Sequence, residues 1–229
     1  MNFVNYKIQY YLIHGIDNQR KQRMEDEFKK SNLKDVKWMI YPNKNELNQS
    51  LIDKIVNKNE SFSCGIYRPP NTTLPKGLIS CTYKHYLCLK DIVENNHEYG
   101  VIMEDNIYFS ENIQDRVKLY INQLNEHYTD WDIIFDSSWL DFRESEIIEG
   151  KYVYPKKIGI LEGQGHGGTR CAQFYILTRK CAEKMYNNYL PFNNAPDWYM
   201  NDLFRKLNIK CFWGEPSIAH IFPHVSTAD

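Results

Sequence analysis

The stretch Tyr99-Gly-Val-Ile-Met-Glu-Asp-Asn106 decides the fold class of this 229-residue chain. Residues 99–103 form an apolar run without polar alternation, which is typical of a strand buried on both faces of a parallel sheet. The run stops abruptly at two acids and an amide, Glu104, Asp105 and Asn106. Ligands of open α/β sheets bind at the carboxyl ends of the strands, so these side chains are predicted to lie at a binding site.

Strands alternate with helices on both sides of this stretch, as apolar runs and helix-capping residues indicate. Further strands are predicted at residues 7–13, 36–41, 131–135, 171–178 and 209–213, and helices at 17–33, 81–93, 115–124, 179–188 and 198–207. This alternation predicts an α/β fold with a mostly parallel central sheet and helices on both faces. Because no linker or internal repeat interrupts it, residues 1–229 are predicted to form a single domain.

The helix at residues 81–93 has the clearest pattern. Its apolar positions, with His85 among them, recur at steps of three and four and therefore share one face. His85 is predicted to be a buried, hydrogen-bonded core histidine rather than a metal ligand. Residues 63–77 precede this helix, and their prolines and glycines predict a surface loop.

Composition excludes several classes of protein. Lys and Arg number 28 against 29 Asp and Glu, and this balance argues against nucleic-acid binding. No apolar run approaches the ~20 residues that span a bilayer, and no signal-peptide pattern opens the chain, so a cytoplasmic location is predicted. The six cysteines form no CxxC pair, which favours free thiols over a structural metal cluster.

Several blocks of the sequence resemble, in the same order, the family 25 glycosyltransferases, which include bacterial lipooligosaccharide galactosyltransferases and collagen galactosyltransferases. The family pattern is Gly-Cys-x-x-Ser-His, then a helix, then a strand ending in Glu-Asp-Asp. Here Cys81 and His85 match, whereas Ser80, Lys84 and Asn106 depart from it. The first strand with its downstream arginine (13–20), residues 169–185 and the pair 197–198 are also similar to family motifs.

The resemblance implies a GT-A type fold, a nucleoside-diphosphate sugar donor that is commonly UDP-linked, and usually Mn²⁺ (or Mg²⁺). The residues implied for the nucleotide sugar are His14, Arg20, Glu104 and Asp105. The residues implied for the metal are Asp105, Asn106 and a C-terminal histidine, His220 or else His224. Because Asn106 offers a neutral carbonyl oxygen in place of a carboxylate, the metal is expected to bind weakly.

Asp197 has two interpretations. It is either the N-cap of the following helix, a position that Asp favours, or the general base that the family motif implies. Asp202, further along that helix, is the alternative base. Residues 163–168 satisfy GxGxxG, but a strand is predicted after them where a dinucleotide fingerprint requires a helix, so they are predicted to form a loop near a bound sugar.

The predicted function is the metal-assisted transfer of a hexose, with inversion, from a UDP-sugar to a hydroxyl of a glycan or glycoprotein acceptor. The alternative is a catalytically weakened nucleotide-sugar-binding protein of the same fold, which Asn106 motivates. A third hypothesis is a metal-dependent phosphohydrolase that uses the same carboxylates, but no phosphatase motif in the sequence supports it.

Overall fold

A computed structural model of the chain describes residues 6–57, 74–136, 145–155 and 171–222. The elements follow in the order β1 (Ile8–Ile13), α1 (Asn18–Lys30), β2 (Val36–Met39), α2 (Gln49–Ile55), α3 (Lys76–Glu94), β3 (Tyr99–Glu104), β4 (Ile107–Phe109), α4 (Ile113–His127), β5 (Ile133–Phe135), β6 (Val153–Pro155), β7 (Phe174–Thr178), α5 (Arg179–Tyr186), α6 (Pro196–Leu207), β8 (Cys211–Gly214) and β9 (Ala219–Ile221).

Seven of these strands form one sheet in the order β2-β1-β3-β7-β5-β8-β6. Strands β1, β2 and β3 are parallel, and so are β5 and β8. Strand β7 is antiparallel to both β3 and β5, and β6 is antiparallel to β8. Five strands therefore share one direction, and the predicted mostly parallel sheet is confirmed. The short strands β4 and β9 pair separately.

Helices cover both faces of the sheet, as predicted. Alternate sheet residues such as Tyr11, Ile102 and Tyr175 pack with α2, α3, α5 and α6 in one buried cluster. Their neighbours, such as Leu12 and Val101, pack with α1 and α4 in a second cluster on the other face. The mixed α/β architecture is that expected of a GT-A type fold.

Local sequence explains the clearest elements. Asp17 caps α1, its side chain accepting hydrogen bonds from two backbone N–H groups of the first turn. Gly100 lies in β3 beneath Ile92 of α3, so close that a methyl group at position 100 would overlap the isoleucine side chain. The close packing of α3 on β3 therefore depends on this glycine, and it brings the start of α3 towards the end of β3.

The structure also departs from the predicted elements. Helix α3 begins at Lys76, inside the predicted loop of residues 63–77, most of which lies outside the described residues. Helix α2 and the three-residue strands β4, β6 and β9 were not predicted. The glycine motif 163–168 and His224 lie outside the described ranges. Within these ranges, no helix is both long and apolar enough to span a membrane.

Candidate active site

Asp105, immediately after β3, organises one part of the carboxyl edge of the sheet. Its Oδ2 lies 2.7 Å from His14 Nδ1 and accepts a hydrogen bond from Gly15 N at 3.2 Å. Its Oδ1 accepts a hydrogen bond of 2.8 Å from Arg20 Nη1. His14 and Gly15 follow β1, which is paired in parallel with β3, so the sheet itself brings these residues together.

Burial and ionic contacts have opposite effects on the pKa of Asp105. Burial acts to raise the pKa of its carboxyl group, but the contacts with His14 and Arg20 outweigh burial and lower the pKa. Asp105 is therefore an anion at neutral pH. Arg20 lies in the first turn of α1, which Asp17 caps, so its guanidinium group is held at the sheet edge.

Glu104 is adjacent to Asp105 but points to the α3 face of the sheet. Its Oε1 lies 3.3 Å from His85 Nε2 and accepts a hydrogen bond of 3.8 Å from Cys81 Sγ. His85 is fully buried, and its Nδ1 lies 2.7 Å from the hydroxyl of Tyr175 in β7. The expectation that His85 is a buried, hydrogen-bonded histidine is confirmed, but its partner is a site residue.

Cys81, His85 and Glu104 could hold a divalent cation, because one ligand atom from each lies within 4.8 Å of the others. A divalent metal therefore fits the chemistry of the described residues. Burial, and secondarily the charge of Glu104, raises the pKa of the Cys81 thiol, so this thiol is neutral unless a cation binds.

Asn106 and His220 were predicted to bind the metal together with Asp105. Asn106 Oδ1 is buried and has no hydrogen-bond partner among the described residues, so this oxygen is available to a cation. His220 lies in β9, opposite Tyr108, and its Nε2 lies 3.2 Å from Ser110 Oγ. The assignment of these three residues to a metal remains a prediction.

Asp197 is the second residue of α6, with Ala195 as the N-cap and Pro196 before it. The interpretation of Asp197 as N-cap is therefore wrong, because proline takes the first helical position, which it favours. Asp197 Oδ1 accepts a hydrogen bond of 3.0 Å from Trp198 N. Burial, together with the negative charge of Glu104, raises the pKa of Asp197. Asp202 is ion-paired with Arg205 on the same helix.

Sequence reasoning missed the role of Lys84. This lysine is only 2% exposed, and its Nζ donates a hydrogen bond of 2.7 Å to the backbone oxygen of His14. Burial lowers its pKa. Lys84 thus ties α3 to the loop that carries His14. The sequence did contain an indication of this role, because Lys84 lies between Cys81 and His85 on the face of α3 that was predicted to be buried.

Asp136 also lies at this edge, after β5, but it serves the fold. Its carboxyl group accepts hydrogen bonds from the Tyr120 hydroxyl and from the backbone N–H groups of Ile218 and Ala219. Burial raises its pKa to about 6, although these hydrogen bonds act in the opposite direction. Asp136 therefore anchors the segment that leads into β9.

Comparison with known families decides the assignment of the chain. The model of "Glycosyltransferase family 25 (LPS biosynthesis protein)" matches residues 9–200, which run from the second residue of β1 into the first turns of α6. The chain belongs to glycosyltransferase family 25. Cys81, His85, Glu104 and Asp105 all lie within the matched region.

Curated relatives agree with family 25. Procollagen galactosyltransferase 2 of Homo sapiens is 19% identical over 169 residues, which is 67% of this chain and 26% of the relative. The probable inactive glycosyltransferase 25 family member 3 of Bos taurus is 24% identical over 164 residues, or 64% of this chain and 26% of the relative. The chain thus spans about a quarter of these relatives. A crystal structure of a protein from STIV covers 94% of this chain and 85% of its own, at 10% identity and a TM-score of 0.47.

Proposed function

We propose that this family 25 chain transfers a hexose from a UDP-sugar to a hydroxyl group of a glycan or glycoprotein acceptor, with inversion at the anomeric carbon. The observation that carries the proposal is the network of His14, Asp105 and Arg20 at the carboxyl ends of β1 and β3, where open α/β sheets bind their ligands. The galactosyltransferase name of a relative supports the choice of a hexose.

The donor is proposed to bind along this edge. Arginine matches the geometry of phosphate oxygens, and Asp105 holds Arg20 in place. When bound, a divalent cation such as Mn²⁺ or Mg²⁺ neutralises the charge that develops on the departing UDP. Asp105, Asn106 and His220 are the proposed ligands, and the buried carbonyl oxygen of Asn106 supports that choice.

Asp197 is the proposed general base. Inversion by direct displacement needs a base that removes the acceptor proton while the acceptor oxygen attacks the anomeric carbon. The proton passes to the Asp197 carboxylate, and the bond between the anomeric carbon and the UDP oxygen breaks. Burial and the nearby charge of Glu104 raise the pKa of Asp197, which makes it a stronger base than an exposed aspartate.

The test measures UDP release from a panel of UDP-hexoses, with and without glycan acceptors, in the presence of Mn²⁺. Asp197→Asn is expected to lower kcat by about 10²–10⁴-fold and to leave UDP affinity nearly unchanged, because a general base acts only as the proton moves. Asp202→Asn removes the alternative base on the same helix and is expected to retain activity, because Asp202 is exposed and ion-paired with Arg205. Turnover by Asp197→Asn within a few-fold of the parent would reject this residue as the base.

A second candidate is a nucleotide-sugar-binding protein with weakened catalysis. Two observations favour it: Asn106 replaces a family aspartate, and one relative is named probable inactive. Calorimetric binding of UDP-sugars without UDP release, with acceptors and Mn²⁺ supplied, would support this candidate over the transferase. Absence of UDP binding would contradict both.

A further inference from the structure

We propose that Cys81, His85 and Glu104 form a Zn²⁺ site on the α3 face of the sheet edge, separate from the Mn²⁺ position proposed at Asp105 and Asn106. This inference does not depend on the proposed transfer reaction. It rests on the distances between three potential ligand atoms, on the contact that orients His85 and on the chemistry of the donor set.

The distances match a tetrahedral ion. Zn²⁺ bonds of 2.0–2.3 Å to nitrogen, oxygen and sulfur place neighbouring ligand atoms about 3.3–3.7 Å apart at tetrahedral angles. His85 Nε2 lies 3.3 Å from Glu104 Oε1, and Cys81 Sγ lies 3.8 Å from the same oxygen. All three ligand atoms lie within 4.8 Å of one another. An ion therefore fits among them with only small side-chain movements.

The fold holds the three ligands in place. Cys81 and His85 are four residues apart on α3 and so project from the same helix face. Glu104 ends β3, against which α3 packs, and the period-two alternation of β3 points it to the same face as Ile102. The site therefore joins a helix and a strand that are already packed together.

Tyr175 orients the imidazole ring of His85. Its hydroxyl lies 2.7 Å from His85 Nδ1, and the two rings stack with centroids 5.7 Å apart. When Nδ1 donates its proton to this hydroxyl, the lone pair of Nε2 faces Glu104. Metal-binding histidines are commonly fixed in this way by a hydrogen bond from the other ring nitrogen.

The donor set selects the metal. A thiolate, an imidazole and a carboxylate suit Zn²⁺, whereas Mg²⁺ and Mn²⁺ prefer oxygen ligands. Cys81 loses its thiol proton to solvent when the ion binds, so binding releases a proton. Three protein ligands leave a fourth tetrahedral position for water or another ligand. The contrasting possibility is a metal-free hydrogen-bonded cluster, in which Nε2 donates to Glu104.

Metal binding to the full chain distinguishes these two states. A chelator first removes any bound metal from the chain. Zn²⁺ binding is then measured by calorimetry, and Co²⁺ binding by absorption, because a thiolate–Co²⁺ bond gives a charge-transfer band in the near ultraviolet. We expect one Zn²⁺ to bind each chain at the Cys81 site, and Co²⁺ at that site to give such a band. Cys81→Ser should abolish the band, whereas Cys88→Ser, a buried cysteine of the same helix, should retain it. Tyr175→Phe should weaken Zn²⁺ binding by about 10–100-fold.

Thermal unfolding without metal checks that each variant folds. If Cys81→Ser does not fold, Glu104→Gln is used in its place, and its Zn²⁺ affinity should be lower than that of the parent. Absence of Zn²⁺ binding by the parent, or a band that persists in Cys81→Ser, would overturn the proposal. Asn106→Asp should leave the Co²⁺ band unchanged, and loss of the band in this variant would overturn the proposal that the two metal positions are separate. These readouts need no sugar substrate, so failure here and failure of the transferase proposal are separate results.

Discussion

Replacement of Asp105 by Asn tests whether the network of His14, Asp105 and Arg20 holds the sheet edge together. The carboxylate accepts three hydrogen bonds, from His14 Nδ1, Gly15 N and Arg20 Nη1, and it is largely buried. A hydrogen bond to a charged group contributes about 1.5–3 kcal/mol, against about 0.5–1.5 kcal/mol for a neutral one. Each of the three bonds therefore loses about 1 kcal/mol, and Asp105→Asn should lower the free energy of unfolding by about 3 kcal/mol.

Urea denaturation measures this loss directly, and for a chain of this size it should correspond to a fall in Tm of about 6–12 °C. Asp202→Asn makes the same chemical change at an exposed ion pair and should alter stability by less than about 1 kcal/mol. A double-mutant cycle of Asp105→Asn with Arg20→Gln should give a coupling free energy of at least about 1 kcal/mol. Additive losses would refute the direct contact, and a loss equal to that of Asp202→Asn would refute the network.

Three further predictions concern other parts of the edge. Asn106→Asp should tighten Mn²⁺ binding, because it adds an anionic oxygen at a buried position; an unchanged calorimetric Kd would mean that residue 106 does not face the ion. Burial raises the pKa of Asp136 to about 6 from an ordinary 3.8, so this group alone contributes about 3 kcal/mol of stability that is present at low pH and is lost as pH rises through this interval. Denaturation of the parent and of Asp136→Asn at a series of pH values measures this contribution as the difference between the two curves, and parallel curves would contradict it. Gly100→Ala should destabilise by about 1–3 kcal/mol, and Ile92→Val in the same chain should recover part of the loss; no recovery would contradict the overlap.

Much of the fold could be predicted from local patterns. The buried run of β3 and the helical face of α3 are strong signals, because each repeats over several residues. The antiparallel direction of β7 could not be predicted, because an apolar run has the same pattern in a parallel and in an antiparallel strand. Strands β4, β6 and β9 have three residues each, too few for a period to stand out.

The candidate site was predicted less completely than the fold. Glu104 and Asp105 were identified as site residues, but both were assigned to one nucleotide-sugar site, whereas the structure turns them to different partners. Alternation along β3 contained this information. The contact between His14 and Asp105 spans 91 positions in the chain, and that between His85 and Tyr175 spans 90. Such pairs depend on strand order, which no local pattern encodes.

The divergence of Glu104 and Asp105 to opposite faces of the sheet has an evolutionary consequence. One group consists of Cys81, His85 and Glu104, and the other of His14, Arg20 and Asp105. Selection can act on the two groups separately, because their side chains come largely from different elements. A lineage can therefore abandon the chemistry of one group and conserve the ligand recognition of the other without rebuilding the scaffold. By contrast, inserting or deleting one residue within β3 exchanges the two faces and disrupts both groups together. A change in the length of this strand is therefore expected to be more damaging than replacement of either acid alone.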